Sequence, residues 1–228
     1  MRCAIIIPVL NEAEGIATFL AHLQKFRHAG HEIILVDGGS VDDTLELARS
    51  SVDQLVETSA GRAQQMNAGA NVTKADVLVF LHADTFLPTT TMPDSTQALG
   101  MTRKVWGRFA VRLSGRQRLF RLIEWMMNSR SCITGIATGD QAMFIKRDVF
   151  ELSGGFDEIP LMEDVAMSKK LKIYSRPVCL RTRVCTSSRR WEQHGIMRTI
   201  FLMWSLRLRF WMGTSPDVLV RRYYNKSA

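Results

Sequence analysis

The stretch CAIIIPV at residues 3–9 decides the fold. It is a continuous apolar run rich in isoleucine, and it is long enough only for a strand that is buried on both faces. Further strands are predicted at residues 32–36, 54–57 and 76–81, with helices between them. Because strands that alternate with helices of this size form right-handed crossovers, the sequence predicts an α/β fold with a mainly parallel central sheet flanked by helices.

The helices between these strands are identified from their starts and their apolar spacing. Asn11 is predicted to cap the first helix, with Glu14 completing a capping box. Ser40 is predicted to cap the second helix, with Asp43 near its N3 position, and a third helix is predicted at residues 61–70. The first helix is predicted to bury one stripe of residues, Ile16, Phe19, Leu20, Leu23 and Phe26.

The second half of the chain has a less regular pattern. Helices are predicted at residues 91–101, 119–128 and 163–171, and a helix start at 146–151. A half-exposed strand is predicted at 105–113, a further strand at 141–145 and a short edge strand at 177–180. No linker rich in proline, glycine or serine divides the sequence, so residues 1–228 are predicted to form a single domain.

The charge balance favours anionic partners. The 228 residues carry 30 lysines and arginines against 22 aspartates and glutamates, a formal net charge of +8. The 46% apolar and 23% charged fractions exclude a collagen-like or largely disordered chain. Most of the positive excess lies beyond the midpoint, where it forms either a solvated basic face or a surface that binds phosphates or an acidic membrane. No specific nucleic-acid motif accompanies it.

The cysteines and the N-terminus predict a cytoplasmic location. Cys3, Cys132, Cys179 and Cys185 form no CxxC pair, so we expect four reduced thiols, without a disulfide framework or a zinc site. The apolar run at residues 3–10 passes directly into Asn11 without a small-residue cleavage site. We therefore do not expect it to be a signal peptide.

The segment at residues 196–212 is apolar nearly all round. Arg198, Ser205 and Arg209 share one helical face, and Arg207 lies opposite. A run with three arginines is a poor bilayer span. Two interpretations stay open: a helix packed on the core with a basic stripe outside, or an in-plane membrane helix with arginines toward anionic lipid at the inner membrane face.

Polar residues follow the ends of the predicted strands, which is where ligands bind to a parallel sheet. Asp37, followed by two glycines that allow close approach, could accept a hydrogen bond from a base or a ribose; a simple turn is the alternative. Asp84, directly after a buried strand, could hold Mg²⁺ or Mn²⁺ together with diphosphate oxygens. The alternative for Asp84 is a turn or helix cap.

Glu163 and Asp164 are adjacent acids at a predicted helix start. One of them could be a general base that deprotonates an acceptor hydroxyl. The alternative is that both only stabilise the helix dipole. Since neighbouring helical side chains point about 100° apart, the two acids are expected to have different roles.

Six motifs in order are more specific than any one of them. IIPVLNE, VDGGSVDDT, GRAQQMNAG, LHADT, GDQAMFIKRDVFELSGGFDE and MED occur between about residues 3 and 172. This series resembles the glycosyltransferase family 2 enzymes, especially short bacterial members often found near selenium- or radical-SAM-associated genes. The resemblance implies a GT-A fold, a Rossmann-like sandwich, and inverting transfer of a sugar from a nucleotide diphosphate, by default UDP, to an acceptor hydroxyl.

The resemblance also implies site residues. Asp84 would bind the metal, Mn²⁺ or Mg²⁺, and Asp164 would be the catalytic base with Glu163 beside it. The remaining nucleotide-binding residues would be Pro8, Asn11, Glu12, Asp37, Arg62 and Asn67, and the acceptor side would be shaped by Gly139, Asp140 and Gln141. Residues 1–100 would form the nucleotide-sugar-binding half, 101–195 the acceptor-binding half, and 196–228 a C-terminal amphipathic helix and tail.

Two departures from the family pattern affect these expectations. His82 replaces the first acid of the DXD motif, which leaves the choice of metal open. Of the QxxRW motif of processive members, Arg190 and Trp191 are present but Ser187 replaces the glutamine, so polymer synthesis is not expected. Arg189 and Arg190 either reach a donor phosphate or form a solvated charge run.

Other function classes fit less well. A nucleotidyltransferase would want a glycine-rich basic loop after the first strand, and an oxidoreductase a GxGxxG motif there; PVLNEAEG is neither. A catalytically silent module that binds nucleotide sugars or membranes remains an alternative. The acceptor is expected to be either a lipid-linked or a small soluble molecule.

Overall fold

In a computed structural model, the chain folds into an eight-stranded sheet with helices on both faces. The structure describes residues 1–225, and the side chains of all of these except Arg190, His194, Tyr224 and Asn225. The strands are β1 Cys3–Val9, β2 Glu32–Asp37, β3 Gln54–Glu57, β4 Val77–Phe80, β5 Thr85–Phe86, β6 Trp106–Leu113, β7 Met143–Lys146 and β8 Val178–Thr186.

Ten α-helices connect and cover these strands in the described part of the chain. They are α1 Ala13–His28, α2 Thr44–Ala48, α3 Arg62–Asn71, α4 Thr91–Met101, α5 Arg118–Thr134, α6 Arg147–Leu152, α7 Glu163–Tyr174, α8 Arg189–His194, α9 Ile196–Trp211 and α10 Pro216–Asn225. Short 3-10 turns lie at Arg49–Ser51 and Gly139–Gln141.

The sheet is parallel in its first half and mixed in its second. The strand order is β3-β2-β1-β4-β7-β6-β8-β5, with β3, β2, β1 and β4 parallel. β7 runs antiparallel to β4 and β6, whereas β6 and β8 are parallel. The predicted α/β class is confirmed. Because β7 is reversed, its start lies at the same edge as the carboxyl ends of β1, β2, β4, β6 and β8, and several loops meet there.

Strand β1 is buried on both faces, as predicted. Ile5 and Ile7 belong to the apolar cluster under α1, whereas Ala4 and Ile6 belong to the cluster under α3. The predicted stripe of α1 is also buried in full. Alternate side chains of one strand therefore anchor both layers of helices to the sheet.

The predicted helix caps at Asn11 and Ser40 are wrong. Helix α1 begins after Glu12, and α2 begins only at Thr44. The Asn11 side-chain oxygen accepts a hydrogen bond from Val41 N (2.9 Å), and Asn11 N donates to Ser40 Oγ (2.8 Å). These polar groups join the loop after β1 to the loop after β2, which satisfies them without capping a helix.

Two strand predictions in the second half are also wrong in detail. β6 is buried almost throughout, because it lies inside the sheet between β7 and β8. β8 continues to Thr186 and is not a short edge strand. Its exposed Arg181 and Arg183 alternate with less exposed residues, and this interrupts the apolar run from which a longer strand would be recognised.

The prediction of four free thiols is wrong for one pair. Cys132 in α5 and Cys179 in β8 form a disulfide, with Cα atoms 6.0 Å apart. Cys3 and Cys185 are free. The two bonded cysteines are 47 residues apart in sequence, and they meet only because α5 packs beside the sheet.

Candidate active site

A cleft of about 630 Å³ opens at the carboxyl edge of the sheet. Loops that follow β1, β4 and β8 form one side, and α5, α7 and α9 form the other. Eight of the predicted site residues line it, namely Pro8, Glu12, Arg62, Asp84, Gly139, Asp140, Glu163 and Asp164. Residues from both halves of the sequence therefore meet in a single cavity.

Asp84 is held at the cleft by a tight turn between two strands. The turn after β4 is closed by a hydrogen bond from Thr85 N to His82 O (3.1 Å). Thr85 then pairs with Thr186 at the end of β8, and their hydroxyl oxygens are 3.0 Å apart. This anchoring leaves the Asp84 carboxylate exposed to the cleft, where the Thr85 hydroxyl donates to it (3.2 Å).

His82, in place of a first acid, contacts the turn before β7. Its Nδ1 lies 3.7 Å from the Asp140 carboxylate. A side chain at residue 139 would overlap the His82 ring, so glycine is required there for this close packing. Burial alone would raise the pKa of Asp140, but the hydrogen bond and charge of His82, together with Arg62, lower it.

Negative charge accumulates around Glu12 and Asp84. Burial raises the pKa of the Glu12 carboxyl, and the negative charge of Asp84 raises it further. Arg189 and Arg62 act in the opposite direction, which places both arginines near Glu12. This end of the cleft thus combines two carboxylates with two long basic side chains.

Glu163 and Asp164 begin α7 on the opposite side of the cleft. Asp164 Oδ2 accepts a hydrogen bond from Gly139 N (2.9 Å), and Oδ1 accepts one from Val165 N (2.7 Å). Glu163 is 7% exposed, and burial followed by the charge of Asp164 raises its pKa. The two adjacent acids therefore have different environments, as expected from their angular separation on a helix.

Replacing Glu163 with glutamine is expected to raise the melting temperature at pH 8 but not at pH 4. The folded-state pKa is above the unfolded value, so the stability that the neutral carboxyl confers is lost as the pH rises through the folded pKa. A neutral amide avoids that loss. The difference in melting temperature between variant and native protein is measured by thermal melts, and a difference of about 2–4 °C corresponds to about 1 kcal/mol.

The exposed Glu158 provides a matched control. Glu158→Gln should give the same small shift at both pH values. An equal shift for Glu163→Gln at pH 4 and pH 8 would show that the charge of Glu163 does not limit stability.

Four predicted site residues lie at the same edge but do not line the cleft. Asp37 is buried, and its carboxylate accepts hydrogen bonds from Gly39 N (2.8 Å), Ser40 N (2.7 Å) and Ser40 Oγ. Asn67 exchanges two hydrogen bonds with the backbone of Phe156. The other two are Asn11, which joins two loops, and the fully buried Gln141. In this structure all four hold loops in place.

Backbone strain is concentrated beside the cleft. Among the described residues, the non-glycine residues with positive φ are Asn11 (54°), Ala142 (44°) and Met162 (71°). Each of them lines the cleft or lies within two residues of a residue that does. Such conformations cost about 1–3 kcal/mol each and persist where the surroundings enforce them, which is typical of functional sites.

Sequence reasoning did not identify the residues of α5 and α9 that line the cleft. Arg130 and Arg207 line the cleft, together with apolar residues of both helices. Arg207 carried a usable signal, because it is a lone arginine opposite the basic stripe of an otherwise apolar helix. Arg130 carried none, since its place beside Asp164 depends on tertiary packing. Of the Arg189–Arg190 pair, Arg189 lines the cleft, and the side chain of Arg190 lies outside the described part.

The residues around Asp84 fit a metal ion that takes some of its ligands from the protein and the others from a diphosphate. Among the described residues, no group of three His, Cys, Asp or Glu side chains is close enough to hold a metal alone. Asp84 nevertheless offers an exposed carboxylate beside the excess negative charge of Glu12. Magnesium-like cations bind through one or two carboxylates, substrate phosphates and water, which matches this arrangement.

Comparison with known proteins identifies related sequences. Residues 4–151 match the family model described as Glycosyl transferase family 2. A PGL/p-HBAD biosynthesis glycosyltransferase of Mycobacterium bovis is 35% identical over 88 residues, covering 36% of this chain and 34% of that protein. An undecaprenyl-phosphate 4-deoxy-4-formamido-L-arabinose transferase of Yersinia pestis is 27% identical over 161 residues, covering 64% and 48%. The matches thus span less than half the length of these relatives.

Two solved structures share the fold. The mannosyltransferase PcManGT from Pyrobaculum calidifontis, in complex with GDP-Man and Mn²⁺, superimposes with a TM-score of 0.69 at 21% identity, covering 90% of this chain and 62% of that one. S. aureus TarS 1-349 in complex with UDP gives 0.65 at 17% identity, covering 87% and 64%. At these identities the likeness shows the fold, which is the GT-A fold expected from the motifs.

Proposed function

The chain belongs to glycosyltransferase family 2, and from this membership we propose that it transfers a sugar from a nucleotide diphosphate to an acceptor hydroxyl, with inversion and with help from a divalent metal. The observation that carries the proposal is the meeting of Asp84 and Asp164 in one cleft. They come from elements 80 residues apart in sequence and occupy opposite sides of the space where a donor and an acceptor would meet.

The donor binds, in this proposal, at the strand-end side of the cleft. Pro8, Glu12 and Arg62 line that side, and Asn11, Asp37 and Asn67 support it from behind. Asp84 would hold Mn²⁺ or Mg²⁺, which when bound neutralises charge on the departing diphosphate. Arg62 and Arg189, both close to Glu12, assist by placing positive charge at the same end.

The acceptor binds on the side of α7. Asp164 takes the proton from the acceptor hydroxyl while that oxygen attacks the anomeric carbon from the face opposite the diphosphate. The bond between the anomeric carbon and the diphosphate oxygen breaks, and the nucleoside diphosphate leaves with the electron pair. Gly139 N fixes the Asp164 carboxylate, and Asp140 and Gln141 shape the same turn. One displacement of this kind inverts the anomeric configuration.

The comparisons guide the choice of donor and acceptor. Solved structures of this fold are complexes with GDP-Man and with UDP, so both nucleobases belong in a donor screen, with UDP-sugars as the first choice. One relative is named as an undecaprenyl-phosphate transferase, which supports a lipid-linked acceptor. The family membership favours sugar transfer over the nucleotidyl transfer that the sequence also allowed.

A screen of nucleotide sugars tests the proposal. The protein is incubated with UDP- and GDP-sugars, with and without Mn²⁺, and release of the nucleoside diphosphate is measured. We expect slow, metal-dependent hydrolysis of at least one donor, because water replaces a missing acceptor. A protein that binds a donor but releases no diphosphate with any metal or acceptor would instead be the catalytically silent module.

Helices α5 and α9 carry exposed apolar side chains that we assign to contact with an anionic membrane. Trp125 of α5 and Phe201, Leu208 and Trp211 of α9 are exposed, and Arg209 lies on α9 near them. No helix in residues 1–225 meets the length and hydropathy that a bilayer crossing requires. Exposed aromatic residues beside arginines suit a helix lying in the plane of an anionic interface.

Replacing Trp211 with serine is expected to weaken binding to vesicles that contain phosphatidylglycerol about tenfold, because a large apolar side chain no longer enters the interface. The binding is measured by co-sedimentation with vesicles of defined composition. Ile173→Ser, at an exposed apolar position on α7, is the control and should bind like the native protein. Absence of native binding to these vesicles would remove the membrane assignment.

A further inference from the structure

Arg130 lines the cleft with a guanidinium group that has unused, buried donors. Its Nη1 donates to Ile136 O (3.3 Å), but Nε and Nη2 are buried and find no hydrogen-bond acceptor among the described residues. Burial lowers the pKa of Arg130 to about 10, and the nearby charge of Arg207 contributes. Buried, unpaired donors of a charged group are costly, so this part of the cleft is arranged for a ligand that accepts hydrogen bonds.

Arg207 brings a second positive charge to the same place. It lines the cleft from α9, and its charge acts on both Arg130 and Asp140. Asp164 is the nearby acid, but its carboxylate oxygens already accept hydrogen bonds from Gly139 N and Val165 N. Nε and Nη2 of Arg130 still lack acceptors, and a phosphate could accept charge-assisted hydrogen bonds from them.

Both helices place two apolar residues and then an arginine along the cleft, and in each helix the first apolar residue precedes the arginine by seven positions. On α5 the order is Ile123, Met127, Arg130, and on α9 it is Ile200, Met203, Arg207. Positions separated by three and four residues share one helical face, so each helix presents an apolar track that ends at its arginine. Seven residues of helix extend about 10 Å.

From this arrangement we infer that the acceptor is an anionic amphiphile, with a phosphate group between Arg130 and Arg207 and an apolar chain along the two tracks. The inference rests on the proposed function, since it names the acceptor of that transfer. Its reacting hydroxyl would lie beside the phosphate and within reach of Asp164, which lines the same cleft and whose charge acts on Arg130. The chain would leave toward the exposed apolar side chains of α5 and α9, where a membrane would supply such a molecule.

The donor diphosphate is the competing ligand for these arginines. Arg62 and Arg189, which act on Glu12, already provide positive charge on the donor side. Arg130 and Arg207 belong to α5 and α9 and act on Asp164 and Asp140. Arg62 also acts on Asp140, so its charge reaches both ends of the cleft, and the test below distinguishes donor binding from acceptor binding.

Titration calorimetry with three probes tests the inference. They are n-octyl phosphate, n-octanol as the chain without phosphate, and inorganic phosphate as the head without chain. We expect n-octyl phosphate to bind at least tenfold more tightly than either fragment. Arg130→Gln and Arg207→Gln should each weaken it tenfold or more. Arg118→Gln, at an exposed position on α5 outside the cleft, should leave it unchanged.

Two results would overturn the assignment: native-like binding of n-octyl phosphate by both variants, or an equal loss of UDP binding, which would place the arginines at the donor. If thermal melts show that Arg130→Gln is unfolded, the binding of n-octyl phosphate by Arg207→Gln decides the test, because Arg207 is only half-buried. Donor hydrolysis is measured on the same protein. Arginine-dependent binding of n-octyl phosphate without donor hydrolysis would defeat the transferase proposal alone, and hydrolysis without such binding would defeat the acceptor inference alone.

Discussion

Replacing Asp84 with alanine is expected to lower sugar transfer roughly 100- to 1000-fold, or about 3–4 kcal/mol of transition-state stabilisation. Asp84 is the exposed carboxylate at the turn after β4, and the turn itself is held by Thr85 and the end of β8. Alanine therefore removes the ligand without removing the anchor. Because the metal site depends on this carboxylate, the stimulation of nucleotide binding by Mn²⁺ should disappear as well.

The measurement is transfer or donor hydrolysis as a function of Mn²⁺ concentration, combined with calorimetry of UDP binding. Asp43→Ala is the matched control, since Asp43 is exposed and its side chain does not cap α2. It should behave as the native protein. If Asp84→Ala keeps both the native rate and the native response to Mn²⁺, Asp84 does not hold the metal.

Replacing Asp164 with asparagine is expected to reduce transfer roughly 100- to 10,000-fold, which is the range for loss of a general base. Binding of the nucleotide should stay within about threefold of native, because Asp164 begins α7, whereas the proposed donor-side residues Glu12 and Asp84 follow β1 and β4. The amide keeps the shape of the carboxylate, and its oxygen can still accept the hydrogen bond from Gly139 N. The effect should therefore fall on kcat and leave donor affinity unaffected.

Rates of transfer and titrations with UDP, made on the same preparation, separate these effects. Asp157→Asn is a useful control, because Asp157 pairs with Lys170 on the outside of α7 and does not line the cleft. Near-native transfer by Asp164→Asn would remove the base from its assigned position. A parallel loss of UDP binding would mean that Asp164 belongs to the donor site.

The first half of the fold could be predicted because its signals are local. The apolar run of β1 and the stripe of α1 report burial directly, and both were confirmed. The extent of β8 could not be predicted in this way, since its alternating arginines resemble a loop. The disulfide between Cys132 and Cys179 depends on how α5 packs against the sheet, and sequence spacing contains no information about that.

The candidate site shows the same division. Asp84 could be predicted because a parallel sheet brings the ends of its strands to one edge. The contribution of α5 and α9 depends on where two helices pack relative to that edge, so Arg130 was not recognised. Asp37 and Gln141 carry suitable chemistry, but in the structure Asp37 accepts hydrogen bonds within its own loop and Gln141 donates to Ser131 of α5.

The position of a bound cation tests the central claim most directly. In crystals grown with UDP and Mn²⁺, anomalous scattering locates the metal. We predict that it lies about 2.0–2.3 Å from an Asp84 carboxylate oxygen and also contacts the diphosphate, with Asp164 facing the open end of the cleft. A metal and diphosphate bound away from Asp84, or a nucleotide bound outside this cleft, would contradict the account.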